Sequence, residues 1–386
     1  MKTALTTAIT TGMTTLVALG AISLSAPASA EIRLGASVSA TGPAAFLGDP
    51  EAKTIEMLVE QINEAGGING EKIKLFLYDD GGDPNKARTF ATRLVEDDEV
   101  TAIIGGSTTG TTMSIISVAE DESIPFISLA GAIQIIDPVR ANVFKTPHTD
   151  RMACAKIFTD MAARGLTRIG MISGTDGFGA SMQAQCHDIA AEHGIEVLAD
   201  ETYGPQDADM TPQLTKIAKT EGVQAILNPG FGQGPAIVTR NKAQLGIDLP
   251  LYQSHGVASD GFIKLAGAEA AEGVRLPGTA LLIADILPDG DPQKEVVTTY
   301  KTAFEAKFDQ KVSTFGGYAN DAFLLMANAM KTGGADAEAI RNALEATAGL
   351  VGTTGTYSFS ATDHLGLDLS AFRMLEIRDG GWALAE

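Results

Sequence analysis

The chain has 386 residues, with 28 Lys and Arg against 48 Asp and Glu and a formal net charge of −20. A surface that acidic excludes a nucleic-acid partner, because phosphate backbones are bound by basic surfaces. It does not exclude a small anion, since local amide dipoles outweigh a distant, diffuse charge. His148, His187, His193, His255 and His364 are the only histidines, and neither an HExxH nor a CxxC pattern occurs. No metal site and no cofactor are expected.

The first segment, MKTALTTAITTGMTTLVALGAISLSAPASA, has one early cation at Lys2, an apolar stretch around Leu16 to Leu24, and Ala28-Ser29-Ala30 as a small-residue cleavage site. Those are the parts of a secretory signal peptide, residues 1–30, cut after Ala30. The apolar stretch is broken by Gly20, Ser23 and Ser25, and it is shorter than the roughly 20 residues of a spanning helix. Residues 1–30 hold Lys2 and no acid, so 27 basic and 48 acidic residues remain, a net charge of −21 on the exported chain. About 356 residues exceed one comfortable hydrophobic core, which points to two lobes.

From Ile32 the pattern alternates strand and helix. IRLGASVSA places Ile32, Leu34, Ala36 and Val38 at period two, and TIEMLVEQI places Ile55, Leu58, Val59 and Ile62 at helical spacing. KIKLFLYDD, a helix around Phe90 and Leu94, VTAIIGG, a helix around Ile115 and Val118, and PFISLA continue the series. This is the signature of a parallel sheet covered by helices. After FKTPHTD a second series begins: RIGMISG, a helix from Met182 to Ala191, IEVLADETY, a helix through Leu214 and Ile217, QAILNPG, a helix through Ile237 to Leu245, and PLYQSHG. The helix-rich segment Pro292 to Gly349 has no strands of its own and is expected to cover the first sheet. TYSFS and FRMLEIRDGGWAL read as closing strands. Cys154 and Cys186 fall on consecutive helices of one lobe, where a disulfide and two buried thiols are both open.

Ligands of open α/β sheets bind beyond the carboxyl ends of the strands. The loops there are SATGPAAFLG, GGSTTGTT, LAGAIQ, SGTDGFGAS, NPGFGQGP and YQSHGVASD. GGSTTGTT has the glycines of a phosphate cradle without its lysine, none occurring between Val100 and Arg140. Ser107, Thr108 and Thr109 instead offer hydroxyls beside the amides that open a helix, a receptor for a carboxylate. The competing role for each is a helix N-cap. Phe46, Phe178 and Phe231 stand inside glycine-bearing loops, where an aromatic wall for a ligand is expected. His255, between Ser254 and Gly256, can donate to a carboxylate or a phenolic hydroxyl. Asp150 reads as an N-cap, and Tyr318 either reaches the cleft or packs. A catalytic serine at Ser107 is disfavoured, because Thr109 stands where G-x-S-x-G requires its last glycine; no enzymatic activity is expected.

The chain resembles the type I periplasmic solute-binding proteins of ABC transporters, in the branched-chain amino-acid-binding group. The resemblance covers essentially everything after residue 30: ATGPAAFLGD, INEAGGINGEKIKLFLYDDGGDP, GGSTTGTT, IPFISLAGA, YGPQDADMTPQLTKI and YANDAFLLMANAM. It implies an α/β fold of two Rossmann-like lobes, a Venus flytrap joined by three crossover segments, that closes over a small ligand and delivers it to an ABC permease in the inner membrane. The expected division is 31–148 plus 280–352 for the first lobe and 149–279 plus 353–386 for the second, in a periplasmic monomer. In amino-acid binders of this group the loop containing Thr109 holds the ligand carboxylate. A threonine region and an acid from the second lobe hold the ammonium. Here those two positions fall at Ala132 and His255, and an ammonium buried without its counter-charge costs about 3–5 kcal/mol. SHGVASDGF is similar to the subgroup that binds aromatic acids such as benzoates and cinnamates. The expected ligand is therefore a flat aromatic carboxylic acid, held by Ser107 to Thr109, flanked by Phe46, Leu129, Ala130, Ala132, Phe178 and Phe231, with His255 at one end. The alternative is an aliphatic amino acid, or a sensor of the same fold.

Overall fold

The computed structural model describes Met1 and residues 31–386. The signal-peptide expectation falls on residues 1–30, which lie outside the described residues apart from Met1. Strands β1 (Ile32–Val38), β2 (Ile73–Asp79), β3 (Ala102–Gly105), β4 (Phe126–Ser128) and β5 (Val143–Lys145) alternate with helices α1 (Ala45–Glu64), α2 (Pro84–Glu96) and α3 (Thr109–Asp121). They form one parallel sheet in the order β2-β1-β3-β4-β5. β1, β3 and β4 are buried on both faces apart from Arg33, as expected of strands with helices on each side.

The second lobe repeats the plan. In chain order it holds α4 (Asp150–Ala163), β6 (Arg168–Gly174), α5 (Gly177–Ala190), β7 (Glu196–Tyr203), α6 (Thr211–Lys219), β8 (Ala225–Asn228), α7 (Gln233–Gln244), β9 (Leu251–Gln253), α8 (Asp260–Ala266), α9 (Ala268–Ala271) and β10 (Arg275–Gly278). The chain then returns to the first lobe with α10 (Lys294–Phe308), α11 (Thr314–Gly333), α12 (Ala337–Glu345) and the small hairpin β11 (Leu350–Val351) and β12 (Thr356–Tyr357). It ends in β13 (Arg373–Arg378) and β14 (Gly381–Leu384), which add an antiparallel edge to the second sheet, order β14-β13-β10-β9-β8-β6-β7.

In both sheets the strand order reverses beside the first strand, between β1 and β3 and between β6 and β8. A crevice opens at such a reversal, because the loops on its two sides leave for opposite faces. Local chemistry sets where the helices start. Asp83, Thr149 and Asp176 each cap the adjoining helix, accepting from backbone N–H groups of its first turn.

The expected lobe boundary at 352/353 is moved. Tyr357, Phe359, Leu365 and Leu367 are buried in the first lobe's core with Leu34, Phe144 and Tyr318. Asp321 on α11 secures this segment by accepting from Thr353 N, Thr354 N and the Tyr357 hydroxyl. The last crossing therefore comes after Leu367. A core of Ala280, Leu281, Ile283, Val297, Tyr300 and Phe304 takes in Met57 of α1 as well as Leu375 of β13, so the segment opening at residue 280 packs on both lobes. Cys154 and Cys186 are joined in a disulfide between α4 and α5.

Candidate ligand site

The glycine pair that opens GGSTTGTT is required by its neighbours. A Cβ on Gly105 would stand 2.0 Å from the Ser37 carbonyl oxygen, and Gly106 has φ +67° and leaves room for Thr112 Oγ1. Glycine permits both, so β3 runs flush against β1 and turns directly into α3. The next three residues then take three different roles. The Thr108 side chain accepts from Thr111 N at 3.1 Å, and Thr111 Oγ1 returns a bond to Thr108 N at 3.1 Å, a capping box. Ser107 Oγ accepts from Ser39 N at 2.8 Å and makes a short bond with Glu51 Oε2. Only Thr109 Oγ1 is buried without a partner. It sits beside the N–H groups of Thr109 and Gly110, which have no intrahelical acceptor at the start of α3.

These residues line a cavity of about 40 Å³ between the lobes. The first lobe supplies Leu47, Ser107, Thr108, Thr109, Leu129, Ala130 and Gly131; α11 supplies Phe315 and Tyr318. Pro147, on the first crossing, closes one end. From the second lobe come Phe178, Phe231, His255 and Gly256. The lobes are in contact across it. Phe46 of α1 meets Phe231 at 6.1 Å between ring centroids and Phe315 at 5.6 Å. A Cβ on Gly131 would stand 2.9 Å from both His255 Nε2 and Phe178 Cε2. A larger cleft of about 700 Å³ adjoins it and shares Thr108, Thr109, Phe178 and Phe231 in its lining.

The polar atoms facing inward lack partners: Thr109 Oγ1, both ring nitrogens of His255 and the Tyr318 hydroxyl. Buried groups in that state are costly unless something binds them. Burial, with the Lys145 charge nearby, pushes His255 down to about 3, so its ring is a neutral imidazole with one donor and one acceptor. Lys145 Nζ donates to the carbonyls of Gly131 at 3.0 Å and His148 at 3.2 Å, behind the cavity wall. Burial pulls its ammonium down to about 7, against the opposing attraction of Asp150. Asp150 itself is not the cap of α4, which is Thr149. Its carboxylate accepts from Ile133 N and from Ser181 Oγ, tying the two lobes together.

Two of the expected residues fall elsewhere. Ala132 is fully buried in the first lobe's core with Ala130, Ile135 and Val143, in extended conformation immediately before the short 3₁₀ segment Ile133–Ile135. Phe46 stands behind Phe231 rather than on the cavity and lines a separate depression with Val257 and Phe262. Leu47, Gly131, Pro147, Gly256 and Phe315 were not expected. Gly131 and Gly256 adjoin expected residues, and the small pair Gly316-Gly317 between Phe315 and Tyr318 is the only local mark of a close approach on α11. Among the described residues no cluster of three or more His, Cys, Asp or Glu side chains is placed to hold a metal ion, and no helix is long and apolar enough to cross a membrane.

Two lobes on repeated α/β sheets, closed over a small cavity at both strand-order reversals, define a cleft-binding protein for a small solute. The chain belongs to the periplasmic binding protein family, whose profile matches residues 31–381. It is 27% identical over 318 residues, 82% of each chain, to the leucine-, isoleucine-, valine-, threonine- and alanine-binding protein of Pseudomonas aeruginosa. An extracellular ligand-binding receptor from Rhodopseudomonas palustris HaA2 has a similar structure, with TM-score 0.86 and 29% identity over 92% of this chain and all of that one. So has the branched-chain amino acid transporter substrate binding protein of Streptococcus pneumoniae in complex with isoleucine, with TM-score 0.81 and 25% identity over 92% of this chain and 99% of that one. The chain is thus a solute-binding protein of the ABC-transporter type.

Proposed function

We propose that this protein captures a small aromatic carboxylic acid of the benzoate, hydroxybenzoate or cinnamate kind in the periplasm and passes it to an ABC permease, its leader having been removed after Ala30. The observation that carries the reading is the charge of the cavity: no Asp or Glu lines it. An α-ammonium there would be buried without a counter-charge, at about 3–5 kcal/mol. A carboxylate, by contrast, meets Thr109 Oγ1 and the free amides of α3, and a ring meets Phe178, Phe231, Phe315 and Leu129. A ring hydroxyl has partners in His255 and Tyr318. The cavity of about 40 Å³ is smaller than the roughly 150 Å³ void that takes a benzene ring. A ring-sized ligand therefore holds the lobes slightly further apart, and hinge closure adjusts to it.

An aliphatic amino acid is the second reading, favoured by the relatives from Pseudomonas aeruginosa and Streptococcus pneumoniae, which are named for such ligands. The same experiment separates the two. Refolded, ligand-free protein is screened by thermal shift against benzoates, hydroxycinnamates, aliphatic amino acids and short aliphatic acids, since ligand binding raises the midpoint by mass action. A rise with aromatic acids alone supports the first reading; a rise with leucine or isoleucine alone replaces it with the second.

A further inference from the structure

The Ser107 hydroxyl has to choose its direction. A serine oxygen has one hydrogen to donate and two lone pairs. The backbone N–H of Ser39 takes one lone pair at 2.8 Å, and Glu51 Oε2 lies against the oxygen in a short bond. An ionised Glu51 only accepts, so the hydroxyl hydrogen would be drawn to it. Ser107 would then show the cavity a lone pair and repel a carboxylate. A protonated Glu51 reverses that bond and frees the Ser107 hydrogen for the ligand.

The surroundings of Glu51 decide between these states. Its side chain is fully buried, its Oε1 has no partner, and among the described residues it forms no ion pair. Asp80, just beyond β2, stands across Ser39 and accepts from the hydroxyls of Ser37 at 3.0 Å and Ser39 at 2.6 Å. Helix α11, packed along α1, carries Tyr318 and Asp321, and α10 carries Tyr300, bonded to Thr54 at 2.7 Å. Each of these groups is an acid or a phenol. The next cation on α1, Lys53, turns to Asp49 and Gln310 instead. Burial first, and the Asp80 charge in addition, push the Glu51 carboxyl up to about 8, against the bond from Ser107.

We propose that Glu51 is held as a neutral carboxylic acid that donates to Ser107 and so turns the Ser107 hydroxyl into the cavity as a donor to the ligand carboxylate. Glu51 is then a positioning residue, and carboxylate binding is linked to its proton. The inference rests on the reading above only for its carboxylate, which aromatic acids and amino acids share.

Two measurements on the refolded chain without its leader test it. The first needs no ligand. With ¹³C-carboxyl-labelled glutamate, the Glu51 signal, assigned by its loss in Glu51→Gln, stays that of a protonated acid through neutral pH. An ordinary carboxylate titration overturns the proposal. The second is calorimetric binding of benzoate and of L-isoleucine as probes between about pH 6 and about pH 9.5. For whichever binds, affinity above the Glu51 pKa falls about tenfold per pH unit more steeply in the wild type than in Glu51→Gln. That variant loses the Glu51 fall, because a carboxamide donates at every pH, and any slope it keeps below that belongs to Lys145, whose ammonium is pulled down to about 7. If that variant does not fold, the wild type still decides: titrations in two buffers of different ionisation enthalpy should show proton uptake per ligand rising from near zero toward about one as pH increases. A flat wild-type affinity with no proton uptake overturns the Glu51 role and leaves benzoate binding standing. Isoleucine binding with the expected slope, and no benzoate binding, keeps the Glu51 role and removes the aromatic ligand. If no carboxylate binds, both fall.

Discussion

The loops leaving β3 and β6 occupy equivalent places in the two sheets, each at a strand-order reversal and each opening a helix, yet they present opposite chemistry to the cavity. The first ends in Ser107, Thr108 and Thr109 and offers the unpartnered Thr109 hydroxyl beside the amides that open α3. The second is capped by Asp176, which accepts from Phe178 N at 2.9 Å and Gly179 N at 3.0 Å, and offers the Phe178 ring. A cap must be supplied in either case. Where a threonine supplies it, no charge is added and the remaining amides stay attractive to an anion; where an aspartate supplies it, the helix end is already neutralised and only an apolar face is left for a ligand. One topology thus yields a wall of hydroxyl and amide groups and an apolar, aromatic wall. On the proposed reading, the specificity of the cleft follows from the residue that caps each helix and the side chains of the helix's first turn.

A large expected effect at any pH concerns stability and separates the lobes. The disulfide closes a loop of 32 residues within the second lobe alone, and chain entropy puts its loss at about 3–4 kcal/mol. Cys154→Ser with Cys186→Ser should lower the second lobe's unfolding free energy by that amount, read as a lower denaturant midpoint at unchanged slope, while the first lobe's hydrogen-exchange protection is kept. A uniform loss of protection would show that the lobes unfold as one unit.

Next comes a pH effect confined to the donor wall. Burial raises the Glu51 carboxyl in the folded chain from its ordinary 4.5 to about 8, so the unfolded chain releases this proton first as pH rises. Its contribution to stability is full below about 4.5 and declines by about 1.4 kcal/mol per pH unit until the folded group itself ionises near 8. Glu51→Gln removes this slope, so its stability relative to wild type should rise between about pH 5 and about pH 8 in calorimetric scans. An unchanged difference across that range would mean that the carboxyl is ionised in the folded protein.

Thr109→Val tests the donor wall as a wall for charge. A hydrogen bond to a charged group contributes about 1.5–3 kcal/mol, so affinity for every carboxylate that binds should fall roughly ten- to hundredfold, with little dependence on the rest of the ligand. Phe178→Leu tests the opposite wall. It should cost about 1 kcal/mol for aromatic acids through the lost ring contact and close to nothing for aliphatic ones, as measured by competition titration. If the two substitutions affect both ligand classes alike, the division of labour between the walls is wrong.

Much of this is legible in the chain's local patterns. The alternation of period-two and helical spacing marks both sheets and the positions of their carboxyl-end loops. Of the expected cavity residues, Ser107, Thr108, Thr109, Leu129, Ala130, Phe178, Phe231 and His255 do line the cavity. Periodicity does not resolve the burial of Ala132 in the core just before the 3₁₀ segment Ile133–Ile135, or the return of residues 353–367 to the first lobe. A short strand such as Thr356–Tyr357 has too few residues to show which sheet or core it joins.

By itself, then, the sequence determined the strand and helix order, the loops that meet at the cleft and the hydroxyl and aromatic side chains they carry. These come from local rules: side-chain period, glycine's access to positive φ, and the capping of helix ends within a few residues. What only the tertiary structure decided is how each hydroxyl is used. The direction of the Ser107 hydroxyl depends on Glu51, 56 positions away, and Tyr318 reaches the cavity from a helix more than 200 positions beyond the loop it faces. Such pairings depend on distance through space, and a hydroxyl has so few bonds to give that a single partner brought close by folding settles whether it remains free for a ligand.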